Sequence, residues 1–138
     1  MKSESKLLQQ FSEMAIELST KTPGAGPVRG KILFQNSVTI RIWRNHFATS
    51  LPVLEQAFHA CLDFGDLVYG AYTIKHAPWL HLESGEQLEC VVEVTQRYID
   101  FAHEKRNDVV YHLDRVQQQC ALALQGKTRS LTDFNDAE

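Results

Sequence analysis

An all-α fold of about six helices, paired as antiparallel hairpins, follows from three features of this 138-residue sequence. Apolar residues recur at three- and four-residue steps through most of the chain, which is the period of a helix with one buried face. Residues that stop helices, Gly65, Gly85, Asn107 and Gly126, stand 20, 22 and 19 residues apart, so each interval holds one helix and a tight turn. Connections that short force consecutive helices to run antiparallel. Finally, strand-like alternation is confined to one stretch, around Ile40.

The first helix is read over Ser3 to Ser19, where Leu7, Leu8, Phe11, Met14, Ala15 and Leu18 form an apolar stripe. The window from Lys21 to Pro27 holds two prolines and two glycines and is read as a loop. Lys31 to Phe47 admits two readings. Val38, Ile40 and Ile42 alternate as in a strand, whereas Leu33, Asn36, Ile40, Trp43 and Phe47 fit a helical face. Helix is preferred, because helices flank it on both sides. From Leu51, the residues Leu54, Phe58, Cys61 and Leu62 make a third face. Pro52 sits in the first turn, where a missing N–H costs least.

Gly65 is placed to end that helix and Asp66 to cap the next, which carries Leu67, Gly70, Ala71, Ile74 and Ala77 and should kink or stop early at Pro78. Leu88, Val91, Val92, Thr95, Tyr98, Ile99 and Ala102 come after Gly85 as another stripe. Asn107 is expected to take the left-handed conformation with Asp108 as the cap, ahead of the stripe Val109, Leu113, Val116, Cys120 and Leu124. The helical domain is therefore 1–126, and 127–138 is a polar tail expected to fray.

Gly65-Asp66-Leu67-Val68-Tyr69 is echoed 42 residues later by Asn107-Asp108-Val109-Val110-Tyr111. Leu80-His81-Leu82 before Gly85 is likewise echoed by Leu122-Ala123-Leu124 before Gly126. A period near forty is the mark of two-helix solenoid repeats. Stacked hairpins of a tetratricopeptide-like solenoid and a plain small bundle both remain compatible with the pattern.

Composition narrows the chemistry. The chain is 43% hydrophobic and 22% charged, with a net charge of -3 and no basic block to neutralise phosphates, so nucleic-acid binding is not expected. No apolar run approaches the ~20 residues that span a bilayer. The polar start of the chain is no signal peptide, and the expected compartment is the cytosol. Cys61, Cys90 and Cys120 are far apart and read as small buried hydrophobes rather than disulfide or metal partners.

Gly24 to Ile32 superficially resembles a phosphate-binding loop, but the required early glycine is Ala25 and the required hydroxyl is Ile32. The six histidines lack the i,i+4 spacing of a helical zinc site: His76 and His81 are five apart with Pro78 between them. Asp63 with Asp66, and Glu83 with Glu86, sit at helix junctions where acids cap N-termini. Gln117-Gln118-Gln119 reads as an outward polar face. No cofactor, metal or catalytic set is expected, and hence no enzyme. Trp43 and Trp79 are candidate anchors for a protein partner, since tryptophan dominates interface hot spots. His81 and Tyr98 complete the candidate surface.

Several segments resemble a recurring region of large bacterial signalling proteins, the predicted-ATPase, serine/threonine-kinase-like, GAF-sensor histidine kinases. They are Phe34 through Trp43-Arg44-Asn45-His46, Ser50 to Leu54, Leu62 to Tyr72, Gly85-Glu86-Gln87-Leu88, and Gln119 to Thr128. The resemblance covers Leu7 to Asp136. It implies a tetratricopeptide-like helical region that joins the ATPase part to the sensor and kinase parts. None of that family's catalytic residues falls within it. Pro78 and the Pro23 to Pro27 loop depart from the family pattern.

The expectation is thus a non-catalytic interaction module, whose partner is a protein: neighbouring domains of a multidomain kinase, or a second copy. Too few hairpins to cap their own ends should favour self-association. The alternatives are a small-molecule sensor or enzyme with a pocket near Trp79, His81 and Tyr98, or a gene fragment without independent function.

Overall fold

The computed structural model describes residues 2–130 and 133–136, with side chains over 6–130. The fold is all-α, with six α-helices: α1 (Lys2–Lys21), α2 (Gly26–Gln35), α3 (Leu51–Asp63), α4 (Leu67–Glu83), α5 (Leu88–Glu104) and α6 (Asp108–Leu124). Two compact units divide the chain, residues 1–73 and 74–138, with the boundary inside α4.

In the first unit, α2 begins inside the window read as a loop. Pro27 lies in its first turn, where its ring and fixed φ suit a helix start. The helical path then continues through a π-turn, Asn36–Ile40, and a 3-10 turn, Arg41–Trp43. The contested stretch around Ile40 is therefore helical, but it ends at Trp43 rather than Phe47, and Phe47–Thr49 forms a separate 3-10 turn. α2 packs antiparallel on α3. Gly30 makes this possible: a Cβ there would fall on the Cys61 sulfur and lie 3.0 Å from the Cys61 nitrogen and 3.2 Å from the Ala57 oxygen. Asn36 ties this path to α1 by donating from Nδ2 to the Ser12 hydroxyl at 2.8 Å, both groups being buried.

In the second unit α5 and α6 pack as a hairpin. Gln118 donates from Nε2 to Gln96 Oε1 at 2.9 Å and to the Val92 carbonyl at 3.4 Å. Val91, Thr95, Ile99 and Ala102 form the buried edge of α5, as their spacing predicts. α4 does not stop at Pro78. The helix runs on to Glu83 with Pro78 fully buried. Pro78 has no N–H to give the Ile74 carbonyl, and one residue on, the Lys75 carbonyl accepts a bond from Gln117 Nε2 at 3.0 Å.

The turns repeat with a fixed geometry. Gly65, Gly85, Arg106 and Gly126 all have positive φ. Each closes its helix with the paired bonds of a Schellman turn, for example Asp66 N to Cys61 O at 2.8 Å and Asn107 N to Ala102 O at 2.8 Å. The left-handed residue of the third turn is therefore Arg106 (φ 53) and not Asn107. Asn107 instead caps α6, accepting from the Val110 N–H at 3.2 Å, as Asp66 caps α4 by accepting from Tyr69 N–H at 3.1 Å.

From cap to cap the period is 41 residues, not 42. Gly26, Leu67 and Asp108 open α2, α4 and α6 at that step, and Gly24, Gly65 and Arg106 precede them in the left-handed conformation. The step exceeds the 34 residues of a tetratricopeptide repeat and falls in the range of HEAT-type repeats.

The C-terminal tail is also corrected. Thr128–Ser130 (β1) and Asp133–Asp136 (β2) pair antiparallel and lie against α6, with Thr128 opposite Asp136. The Thr128 side chain is buried, and its hydroxyl donates to the Ser130 carbonyl at 2.9 Å. A polar sequence does not prevent this pairing, because the ladder uses backbone groups. Residues 131–132 and 137–138 of the tail lie outside the described residues.

Two substitutions test this framework by chemical denaturation. Gly30→Ala should lower stability by about 1–3 kcal/mol, because the new methyl meets backbone that cannot yield. Arg106→Gly should raise it by about 0.5–1 kcal/mol, because it relieves the left-handed cost at a modest entropic penalty.

Candidate interaction surfaces

In an ordinary amphipathic helix the apolar stripe is buried, yet α1 and α6 both leave most of their large apolar side chains exposed. On α1, Leu7, Leu8, Phe11, Met14 and Leu18 are each more than half exposed, while Ser12 and Ser19 are buried. On α6, Val109, Val116 and Leu124 are exposed and Leu113 is partly so, while Asp114, Gln117 and Gln118 are buried. The stripe expected to form the last core face therefore points outward. The glutamines expected outside point inward, where their long amides reach the Lys75 and Val92 carbonyls.

In the first unit the α1 stripe runs into an open groove of about 460 Å³ lined by Leu8, Thr39, Ile40, Trp43 and Arg44. Trp43 is 79% exposed, extreme for a tryptophan. The π-turn places it there: a π-bulge inserts an extra residue and re-aims the side chains beyond it. Arg44 holds the rim of the groove by donating from Nη1 to Gln9 Oε1 at 3.0 Å. In the second unit a smaller open groove of about 230 Å³ is lined by His112, Arg115, Val116 and Gln119 of α6. Arg115 is steadied by a bond from Nη1 to Gln118 Oε1 at 3.0 Å.

The four residues singled out from sequence are divided between the two units. Trp43 lies in the first unit, and Trp79, His81 and Tyr98 lie in the second. Trp79 is 43% exposed on α4. His81 is half-buried, and its Nδ1 sits 2.7 Å from Glu86 Oε2 across the α4–α5 turn, so it braces that turn. Tyr98 is half-buried on α5. Sequence reasoning missed Leu8, Ile40 and Arg44 around Trp43, and His112 and Val116 on α6. The exposure of an apolar side chain depends on its neighbours, and no local pattern reports it.

The cysteines differ in setting. Cys61 is buried and its thiol is pushed up to about 11, chiefly by burial and then by the Asp66 charge, which keeps it protonated and inert. Cys120 is half-buried, and Cys90, expected inside, is exposed on α5. Asp66 is held below the usual carboxylate range first by the Tyr69 N–H and also by Lys31, whose Nζ lies 3.2 Å away. Among the described residues no cluster of three or more His, Cys, Asp and Glu side chains is placed to hold a metal, and no helix is long and apolar enough to cross a membrane.

Asp114 is the most unusual ionisable group. It is fully buried, neither carboxylate oxygen has a hydrogen-bond partner, and burial raises it to about 7. Gln117 Oε1 nearby on the same helix is also buried without a partner. An aspartate raised in the folded state stabilises the fold when protonated, and that contribution drains away as pH rises. Measured as the difference in unfolding free energy between the wild type and Asp114→Asn, the loss should accumulate between about pH 4 and pH 7. Its slope should be at most ~1.4 kcal/mol per pH unit, levelling off above that range. A difference that is flat with pH would contradict the burial of a titrating Asp114.

No protein-family model, curated protein or solved structure matches this chain.

Proposed function

We propose that this chain is a non-catalytic helical-repeat module that binds protein, with the α1–Trp43 face and the α6 groove as its docking surfaces. One observation carries the reading. α1 and α6 both leave a stripe of large apolar side chains exposed, which forgoes hydrophobic burial unless another surface covers them. An exposed tryptophan in an apolar groove, rimmed by an arginine, has the composition of an interface hot spot. The 41-residue step supports a repeat architecture, since such repeats present extended surfaces to partners.

On the sequence resemblance, such a module belongs in a bacterial signal-transduction protein of the histidine kinase type, between its ATPase and sensor parts, in the cytoplasm. The partner on this reading is a neighbouring domain of that protein or another copy of the module. The grooves are apolar and open, which suits a helix face better than a small polar ligand.

Photo-crosslinking tests the proposal directly. A benzophenone side chain introduced at position 43 or 116 should yield a defined protein adduct in cells, while the same group on the solvent face at position 93 should not. Absence of any protein adduct, together with a small molecule retained in native mass spectrometry, would overturn the module in favour of a sensor.

A further inference from the structure

Charge is unevenly placed along this chain, and its placement singles out the Trp43 groove. Residues 18–54 contain five Lys and Arg side chains and no Asp or Glu, although the whole chain has a net charge of -3. Lys21 is paired with Glu17, and Lys31 with Asp66. Arg41 and Arg44, which flank Trp43, have no carboxylate partner among the described residues. Arg41 donates from Nε to Thr49 Oγ1 at 3.3 Å, and Arg44 from Nη1 to Gln9 Oε1 at 3.0 Å. Gln9 in turn donates from Nε2 to Glu13 Oε1 at 2.7 Å, so a neutral amide stands between the Arg44 cation and that carboxylate.

The apolar side of this site is long rather than compact. Leu7, Leu8, Phe11, Met14 and Leu18 are exposed along α1. At 1.5 Å per residue that stripe is about 16 Å long, three helical turns. The groove lined by Leu8, Thr39, Ile40, Trp43 and Arg44 lies at its Leu8 end. A stripe of that length takes the apolar face of another helix, and an arginine at one end takes a carboxylate beside that face. Guanidinium and carboxylate bond through parallel pairs, which adds geometry to the attraction. An anionic bilayer fits less well: lipid headgroups are held by clusters of ~4–8 Lys and Arg, and α1 shows Glu13 and Glu17 to solvent.

We infer that the occupant of the Trp43 groove is an acidic amphipathic helix of a partner protein, its apolar face on α1 and Trp43 and its carboxylate on Arg44. The inference rests on the interaction-module reading and specifies the chemistry of the partner. The carboxylate fixes the direction in which the partner helix lies along α1. A helix with Lys or Arg at that position is turned away by like charge.

A displayed library of helical peptides, with Leu at helical spacing and randomised flanking positions, tests it against the wild type and Arg44→Glu. Arg44 is exposed, so circular dichroism should show unchanged helicity in the variant. Peptides selected by the wild type should carry Asp or Glu at one flanking position, and those selected by Arg44→Glu should carry Lys or Arg there. Replacing that acid by its amide should weaken binding to the wild type about fivefold and leave binding to Arg44→Gln unchanged. In a Trp79→Phe background, emission from Trp43 should shift to the blue as a selected peptide covers it. An uncharged or basic preference in the wild type, or an acidic preference that survives Arg44→Glu, overturns the carboxylate pairing, and a Trp43 shift with those same peptides leaves the module reading standing. No Trp43 shift with any selected peptide overturns both for this face, and a shift with phosphatidylserine vesicles instead assigns the face to a membrane.

Discussion

A helix that ends in a Schellman turn needs one residue with positive φ just past its end, and this constraint organises much of the rest of the molecule. Gly65, Gly85, Arg106 and Gly126 each occupy that conformation, and each lets two amides bond back to carbonyls that the ending helix would leave bare. Helix length, hairpin direction and the 41-residue step all depend on where these residues stand. Glycine serves at three of the four. Arg106 bears the strain at the fourth, because the Asn107 side chain is committed to capping α6.

Close approach is the second constraint. The α2–α3 pair depends on Gly30 having no Cβ, and the thiol packed against it stays protonated because it is buried there. Glycine residues that resemble part of a phosphate loop thus act as packing points. In the second unit the polar groups perform the comparable task. Gln117 and Gln118 bridge to carbonyls of α4 and α5, so side-chain hydrogen bonds hold α6 alongside its buried Val110, Ala121 and Ala123. Asp114, buried beside them without a partner, makes that packing sensitive to protonation.

Both terminal helices then carry apolar surface that their own unit does not cover. Apolar surface of that extent is stable in water only at a cost in hydrophobic burial that a covering surface would recover.

Helix number, the turns at Gly65, Gly85 and Gly126, the capping role of Asp66 and the buried edge of α5 were determined by the sequence alone. Each rests on an interaction within a few residues along the chain: a capping bond, a left-handed turn, an apolar spacing of three and four. The tertiary structure decided the rest. It set which face of α6 turns inward, carried α4 through Pro78, widened the turn that exposes Trp43, paired the tail into strands, and shifted the period by one residue through the Asn107 cap. These features depend on groups distant in sequence, such as the Lys75 carbonyl that takes the Gln117 amide. A helix with two plausible faces is oriented by the strongest partners in reach, and those partners exist only once the chain has folded.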